Sequence, residues 1–98
     1  IDLRTNMIKP NPVLAAAAGY VSEIRVMERG YGNVVYVKHP NGMTTVYGHL
    51  ERFSKPIADF VRQKQYEQQS FTVALFPSPG TLPVRKGEAV GIAGNTGT

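Results

Sequence analysis

Histidines are the first residues to consider for acid–base or metal chemistry in this chain, which has two of them and no cysteine. The lack of cysteine excludes disulfides and thiolate chemistry. His49 follows Gly48 at the end of a predicted strand, so it is either a hydrogen-bonded core residue or a residue of a functional site. His39 precedes Pro40 beside a predicted turn, and we expect it to lie on the surface. What this protein does therefore depends largely on which of the two His49 is.

A predicted β-hairpin delivers His49. Residues 33–39 and 43–49 read as strands on either side of the turn Pro40-Asn41-Gly42. Asn-Gly between apolar runs is a strong hairpin signal, because both residues tolerate the positive φ that a tight turn needs. Apolar residues occupy both faces of the first run, which predicts a sheet that is covered at least partly on two sides.

This hairpin resembles the central hairpin of the lysostaphin-type (LytM-like) zinc metallopeptidases of the M23 family. The resemblance is carried by GYGN at residues 30–33 and YGHL at residues 47–50. Residues 1–4, 12–21 and 84–97 resemble further family segments in the same order. The family implies a β-rich fold, with an antiparallel sheet folded on itself in the LytM-like or barrel-sandwich-hybrid manner.

Residues 52–82 match the general family less well and look like the helical insertion of some subfamilies. Ser54 can cap a helix over residues 56–68. Its apolar residues at helical spacing are Ile57, Phe60 and Val61. We therefore expect residues 1–98 to form a single, incomplete peptidase-like domain with one inserted α-helix. The insertion directly follows His49, so we expect it to form a wall of the substrate groove.

Composition excludes several classes of function. Ninety-eight residues suffice for one domain with one modest core. The net charge is +4, but the basic residues are scattered, which disfavours nucleic-acid binding. No apolar run approaches the roughly 20 residues of a membrane helix. Location in the bacterial cell envelope, periplasmic or secreted, follows from the resemblance alone, and the oligomeric state stays open.

Zinc chemistry enters through the resemblance. A catalytic zinc takes three protein ligands and keeps a position for water, which can then attack an amide near neutral pH. In the family the ligands come from a His-x-x-x-Asp motif and from the second histidine of a His-x-His motif. Asp2 matches the aspartate ligand. His49 matches a non-ligand histidine that orients the attacking water or stabilises the developing oxyanion. We expect Tyr47 to pack under the site, and a contact with substrate is its weaker alternative.

The other motif positions would precede Ile1 or follow Thr98. From this we expect the chain as written to lack two of its three zinc ligands and to be inactive by itself. The favoured hypothesis is a zinc metalloendopeptidase domain that cleaves peptide bonds of peptidoglycan in cell-wall remodelling. One alternative is a degenerate, non-catalytic regulator or cell-wall-binding scaffold. Another is a lipoyl- or biotinyl-like carrier module, since residues 84–90 resemble a turn of those domains.

Overall fold

The computed structural model describes residues 11–28 and 32–93. Within these ranges the chain forms seven strands and one helix. They are β1 (Asn11–Leu14), β2 (Gly19–Val26), β3 (Asn33–Lys38), β4 (Thr44–Phe53), α1 (Lys55–Gln68), β5 (Val73–Leu75), β6 (Pro83–Val84) and β7 (Ala89–Ala93). All the strand pairs are antiparallel. The predicted β-rich antiparallel fold with one inserted helix is therefore confirmed.

One sheet joins all seven strands of the described residues. Its order is β1-β7-β4-β3-β2-β5, and β6 lies beside β2. β3 sits near the centre and is rich in β-branched residues, which suit a pleated and buried surface. Val34 and Val35 point to opposite faces of β3, and both are fully buried. The sheet is thus covered on both faces at this point, as the sequence predicted.

The turn between β3 and β4 differs from the prediction in one detail. Of the described turn residues only Gly42 has a positive φ, at 90°. The His39 N–H donates to the Met43 carbonyl (2.8 Å), and the Gly42 N–H donates to the His39 carbonyl (2.9 Å). This is the pattern of a three-residue hairpin loop with glycine at its left-handed position. Asn41 instead accepts a hydrogen bond from the Met43 N–H through Oδ1, at 2.9 Å.

α1 forms where its apolar spacing predicts. Ser54 is the N-cap residue, and a proline occupies the first turn, where its missing N–H costs little. Ile57 and Val61 are buried in the same hydrophobic cluster as the sheet residues. The helix ends before Gln69, whose left-handed backbone (φ 52°) lets its N–H bond back to the last turn. α1 thus packs on the sheet through a single apolar face.

One strand is longer than predicted. β4 is longer, since it continues past His49 to Phe53. The reason is that its second half pairs with β7, a partner that lies about forty residues further along the chain and leaves no local signal.

β4 and β7 approach each other closely at Gly91. A Cβ atom added to Gly91 would lie 2.6 Å from the Arg52 carbonyl oxygen and 2.9 Å from a Leu50 methyl carbon. The backbone of Arg52 cannot move away from this Cβ atom as a flexible side chain could. Glycine is therefore required at this position by the space between the two strands.

We expect Gly91→Ala to lower the free energy of unfolding by about 1–3 kcal/mol, the usual cost of overpacking. The matched control is Ala89→Ser on the exposed side of the same strand, which should change it by no more than about 0.5 kcal/mol. Urea denaturation followed by circular dichroism measures both. Equal stability of the two variants would contradict the close approach.

Candidate functional site

β4 carries a β-bulge at its candidate catalytic histidine. Val35 pairs with Tyr47, and Asn33 pairs with Leu50. Between these two pairs β4 contains one residue more than β3, and His49 is one of the two residues in that interval. An extra residue bends a strand and re-aims a side chain, and bulges are frequent next to active sites.

The backbone of His49 is held in a left-handed conformation. Its φ is 57°, and no other residue of β4, Gly48 included, has a positive φ. This conformation costs an L-residue with a Cβ atom about 1–2 kcal/mol. The His49 side chain is exposed, so His49 is not a core histidine. Such strain persists only where the surrounding structure imposes it, and it concentrates at functional sites.

The segment after His49 is anchored on two sides. Leu50 is 4% exposed and belongs to the hydrophobic core. The side-chain amide of Asn33 donates to the Leu50 carbonyl at 2.9 Å and to the Glu51 carbonyl at 3.3 Å. His49 is therefore followed at once by a buried side chain and by two bonded carbonyl groups.

Tyr47 lies two residues before His49 and packs half-buried against the core. Its hydroxyl oxygen accepts a hydrogen bond from the Ala16 N–H at 3.0 Å. This bond ties β4 to the connection between β1 and β2. A tyrosine hydroxyl that accepts one bond can still donate its own proton.

His39 is buried, so the prediction that it lies on the surface was wrong. Its Nδ1 is 2.7 Å from the Ala18 carbonyl oxygen, and its Nε2 is 2.7 Å from Thr45 Oγ1. A carbonyl can only accept, so Nδ1 carries a proton and donates it to the Ala18 carbonyl, whereas the Thr45 hydroxyl can either donate to Nε2 or accept from it. Nδ1 thus links the hairpin to the loop before β2, and Nε2 links two positions within the hairpin.

A cavity of about 370 Å³ lies between α1 and the sheet. The sheet contributes Asn33 and Glu51 to its lining, and α1 contributes Arg62 and Gln65. We call this cavity the groove. Glu51 is two residues after His49, so the groove begins close to the bulge. α1 forms one of its walls.

Asp2 lies outside the described residues, so its position relative to His49 is not part of the described geometry. Within residues 11–28 and 32–93, no group of three His, Cys, Asp or Glu side chains is arranged to hold a metal ion. In the same part of the chain, no helix is long and apolar enough to cross a membrane.

Glycine and alanine at position 49 should reveal the left-handed backbone. We expect His49→Gly to be more stable than His49→Ala by about 1 kcal/mol, because alanine keeps the Cβ atom that makes this conformation costly. Both variants lose every contact of the imidazole, so their difference reports on the backbone alone.

The control pair is Val46→Gly and Val46→Ala, at an exposed position of the same strand. There the order should reverse, with glycine less stable by roughly 0.5–1 kcal/mol. Thermal unfolding of the four variants measures both differences. If alanine is the more stable residue at position 49 as well, His49 does not have the conformation described.

Comparison with known proteins identifies the family. The family model for peptidase family M23 matches residues 1–67. The DD-carboxypeptidase/endopeptidase Mpg of Neisseria meningitidis serogroup B and that of Neisseria gonorrhoeae are each 31% identical to this chain over 86 residues. The match covers 88% of this chain but only 14% of those relatives. No solved structure matches the chain. The chain belongs to peptidase family M23.

Proposed function

We propose that this chain is part of a zinc metalloendopeptidase domain that cleaves peptide bonds of peptidoglycan in the bacterial cell envelope. His49 is the proposed catalytic residue and Asp2 a proposed zinc ligand. The observation that carries the proposal is the exposed, left-handed histidine at the bulge of the YGHL strand. Membership in a peptidase family and the likeness to enzymes named carboxypeptidase/endopeptidase support it.

The sheet topology supports a role for both ends of the chain. Ala93 pairs with Asn11 on one side and with Leu50 on the other. Asn11 is the first described residue after the segment that carries Asp2. Ala93 is the last described residue before residues 94–98. Asn11 and Ala93 therefore lie in the same row of paired residues as Leu50, which directly follows His49.

The residues of this chain have distinct proposed tasks. Zinc bound by Asp2 and further ligands would supply Lewis acidity, which polarises a carbonyl and makes water a stronger nucleophile. His49 would orient the attacking water or donate a hydrogen bond to the oxyanion as it develops. Tyr47 ties β4 to the connection between β1 and β2, and its hydroxyl can donate a hydrogen bond to substrate.

The groove is the proposed binding site for the peptide. Its lining includes Arg52 and Arg62, and guanidinium groups bind carboxylates well. Peptides of peptidoglycan carry such carboxylates. The insertion would thus contribute to substrate binding, while β4 would contribute the catalytic side chain.

Metal content and activity should separate the two proposed roles in the intact protein. Asp2→Ala should reduce bound zinc well below about one ion per chain and abolish activity, because zinc needs its full set of protein ligands. His49→Ala should retain the zinc and lower kcat on peptidoglycan peptides by about 10²–10⁴-fold.

Glu67→Gln is the matched control, since Glu67 is an exposed carboxylate on α1 that pairs with Lys64 and does not line the groove. It should change neither value. Zinc is measured by atomic absorption and cleavage by peptide release. A wild-type protein that binds no zinc and releases no peptide would refute the proposal and favour the degenerate regulator.

Arg62→Gln should raise KM by about two- to fivefold, the range expected for one exposed charge pair. kcat should stay within about twofold, because a residue that only binds substrate acts equally on ground and transition states. Lys86→Gln, in the turn before β7 and away from the groove, is the control. An unchanged KM for Arg62→Gln would exclude that wall of the groove as a binding surface.

A further inference from the structure

We propose that Asn33 is a positioning residue that holds His49 in its left-handed conformation through the two carbonyl groups that follow it. The geometric part stands on the described residues. The consequence for catalysis rests on the proposed function. The two parts therefore need separate measurements.

The hydrogen bonds of Asn33 fix the direction of its amide. Its Nδ2 lies 2.9 Å from the Leu50 carbonyl oxygen and 3.3 Å from the Glu51 carbonyl oxygen. Both partners are acceptors, so only the NH₂ side of the amide can face them. An amide NH₂ has two protons, one for each carbonyl. Asn33 thus fixes the orientation of two successive peptide groups, Leu50–Glu51 and Glu51–Arg52, which begin one residue after His49.

β4 needs such support because its pairing is irregular on both edges at this point. Towards β3 the extra residue lies at positions 48–49. Towards β7, Leu50 pairs with Ala93 but Arg52 pairs with Ile92, so Glu51 is extra. A bulge locally disrupts the ladder of backbone hydrogen bonds. The side chain of Asn33 adds bonds to the strand where regular pairing is interrupted.

Asn33 is itself well fixed. Its backbone pairs with Leu50 in β4 and with Val26 in β2. Just before it, Gly32 has a φ of 67°, and its carbonyl accepts a hydrogen bond from the Met27 N–H at 2.9 Å. The connection into β3 therefore sets the point from which the amide reaches across to β4. A positioning residue must itself be fixed, and backbone pairing on both sides fixes Asn33.

The chain offers a matched pair of isosteric substitutions. Asn33→Asp replaces the working NH₂ by an oxygen that faces two carbonyl oxygens, so both bonds are lost. At Asn41 the working atom is Oδ1, which accepts from the Met43 N–H. Asn41→Asp keeps that acceptor. The same chemical change therefore removes the interaction at one position and preserves it at the other.

The experiment follows the ring ¹H–¹³C signals of His49 and His39 by NMR in the intact protein, with kcat, KM and zinc content. Asn33→Asp should shift or broaden the His49 signal and leave the His39 signal in place. It should lower kcat on the order of 10- to 100-fold, the effect expected of a misplaced catalytic group. Zinc content should not change, because Asn33 is not among the proposed ligands, and any rise in KM reports on the groove, which Asn33 also lines. Asn41→Asp should match the wild type, and Asn33→Ala should repeat the Asn33→Asp result without the added charge.

Two results would overturn the inference. One is a wild-type His49 signal and wild-type kcat in both Asn33 variants. The other is a parallel shift of the His49 and His39 signals, which would make Asn33 a residue of general stability. If the wild type shows no peptidase activity but only the His49 signal responds to Asn33→Asp, the positioning role is supported and the proposed function is refuted.

Discussion

The break in the register of β4 is the constraint on which the rest of this structure depends. β4 must pair with β3 and β7 to hold the sheet together, yet it must leave regular pairing at His49 to expose that side chain. Leu50 meets both demands, because it is buried in the core and pairs with both neighbouring strands. The exposed histidine thus lies directly beside one of the best anchored residues of the sheet.

The insertion begins close to the bulge. β4 runs on from His49 to Phe53, and α1 starts two residues later. Ile57 and Val61 then fix α1 to the core, so its polar side faces the groove beside the strand end. The short link between strand and helix keeps the proposed binding wall close to the proposed catalytic residue.

Local patterns in the sequence predicted the parts of the fold that depend on local chemistry. Asn41-Gly42 predicted the hairpin, and the spacing of Ile57 and Val61 predicted the helix. The burial of His39 was predictable as well. Strand alternation places it on the same face as Val35 and Val37, which are fully buried. The surface position was predicted instead because His39 precedes Pro40 beside the turn.

The geometry of the site was less accessible from the sequence. No local pattern indicates that position 49 is left-handed, because that conformation follows from the irregular pairing of β4 with β3 and with the distant β7. The same holds for Asn33, which reads as the polar start of a strand until its partner carbonyls are known. The family resemblance pointed to His49, Asp2 and Tyr47 as residues, whereas only the structure describes the strain at His49.

The most direct test of the account is a crystal structure of the intact protein with zinc added. We expect residue 49 to have a positive φ close to 57°. We also expect the metal to have Asp2 among its ligands and the His49 ring to face the metal site. An extended backbone at residue 49, or a ring turned away from a metal held elsewhere, would contradict it.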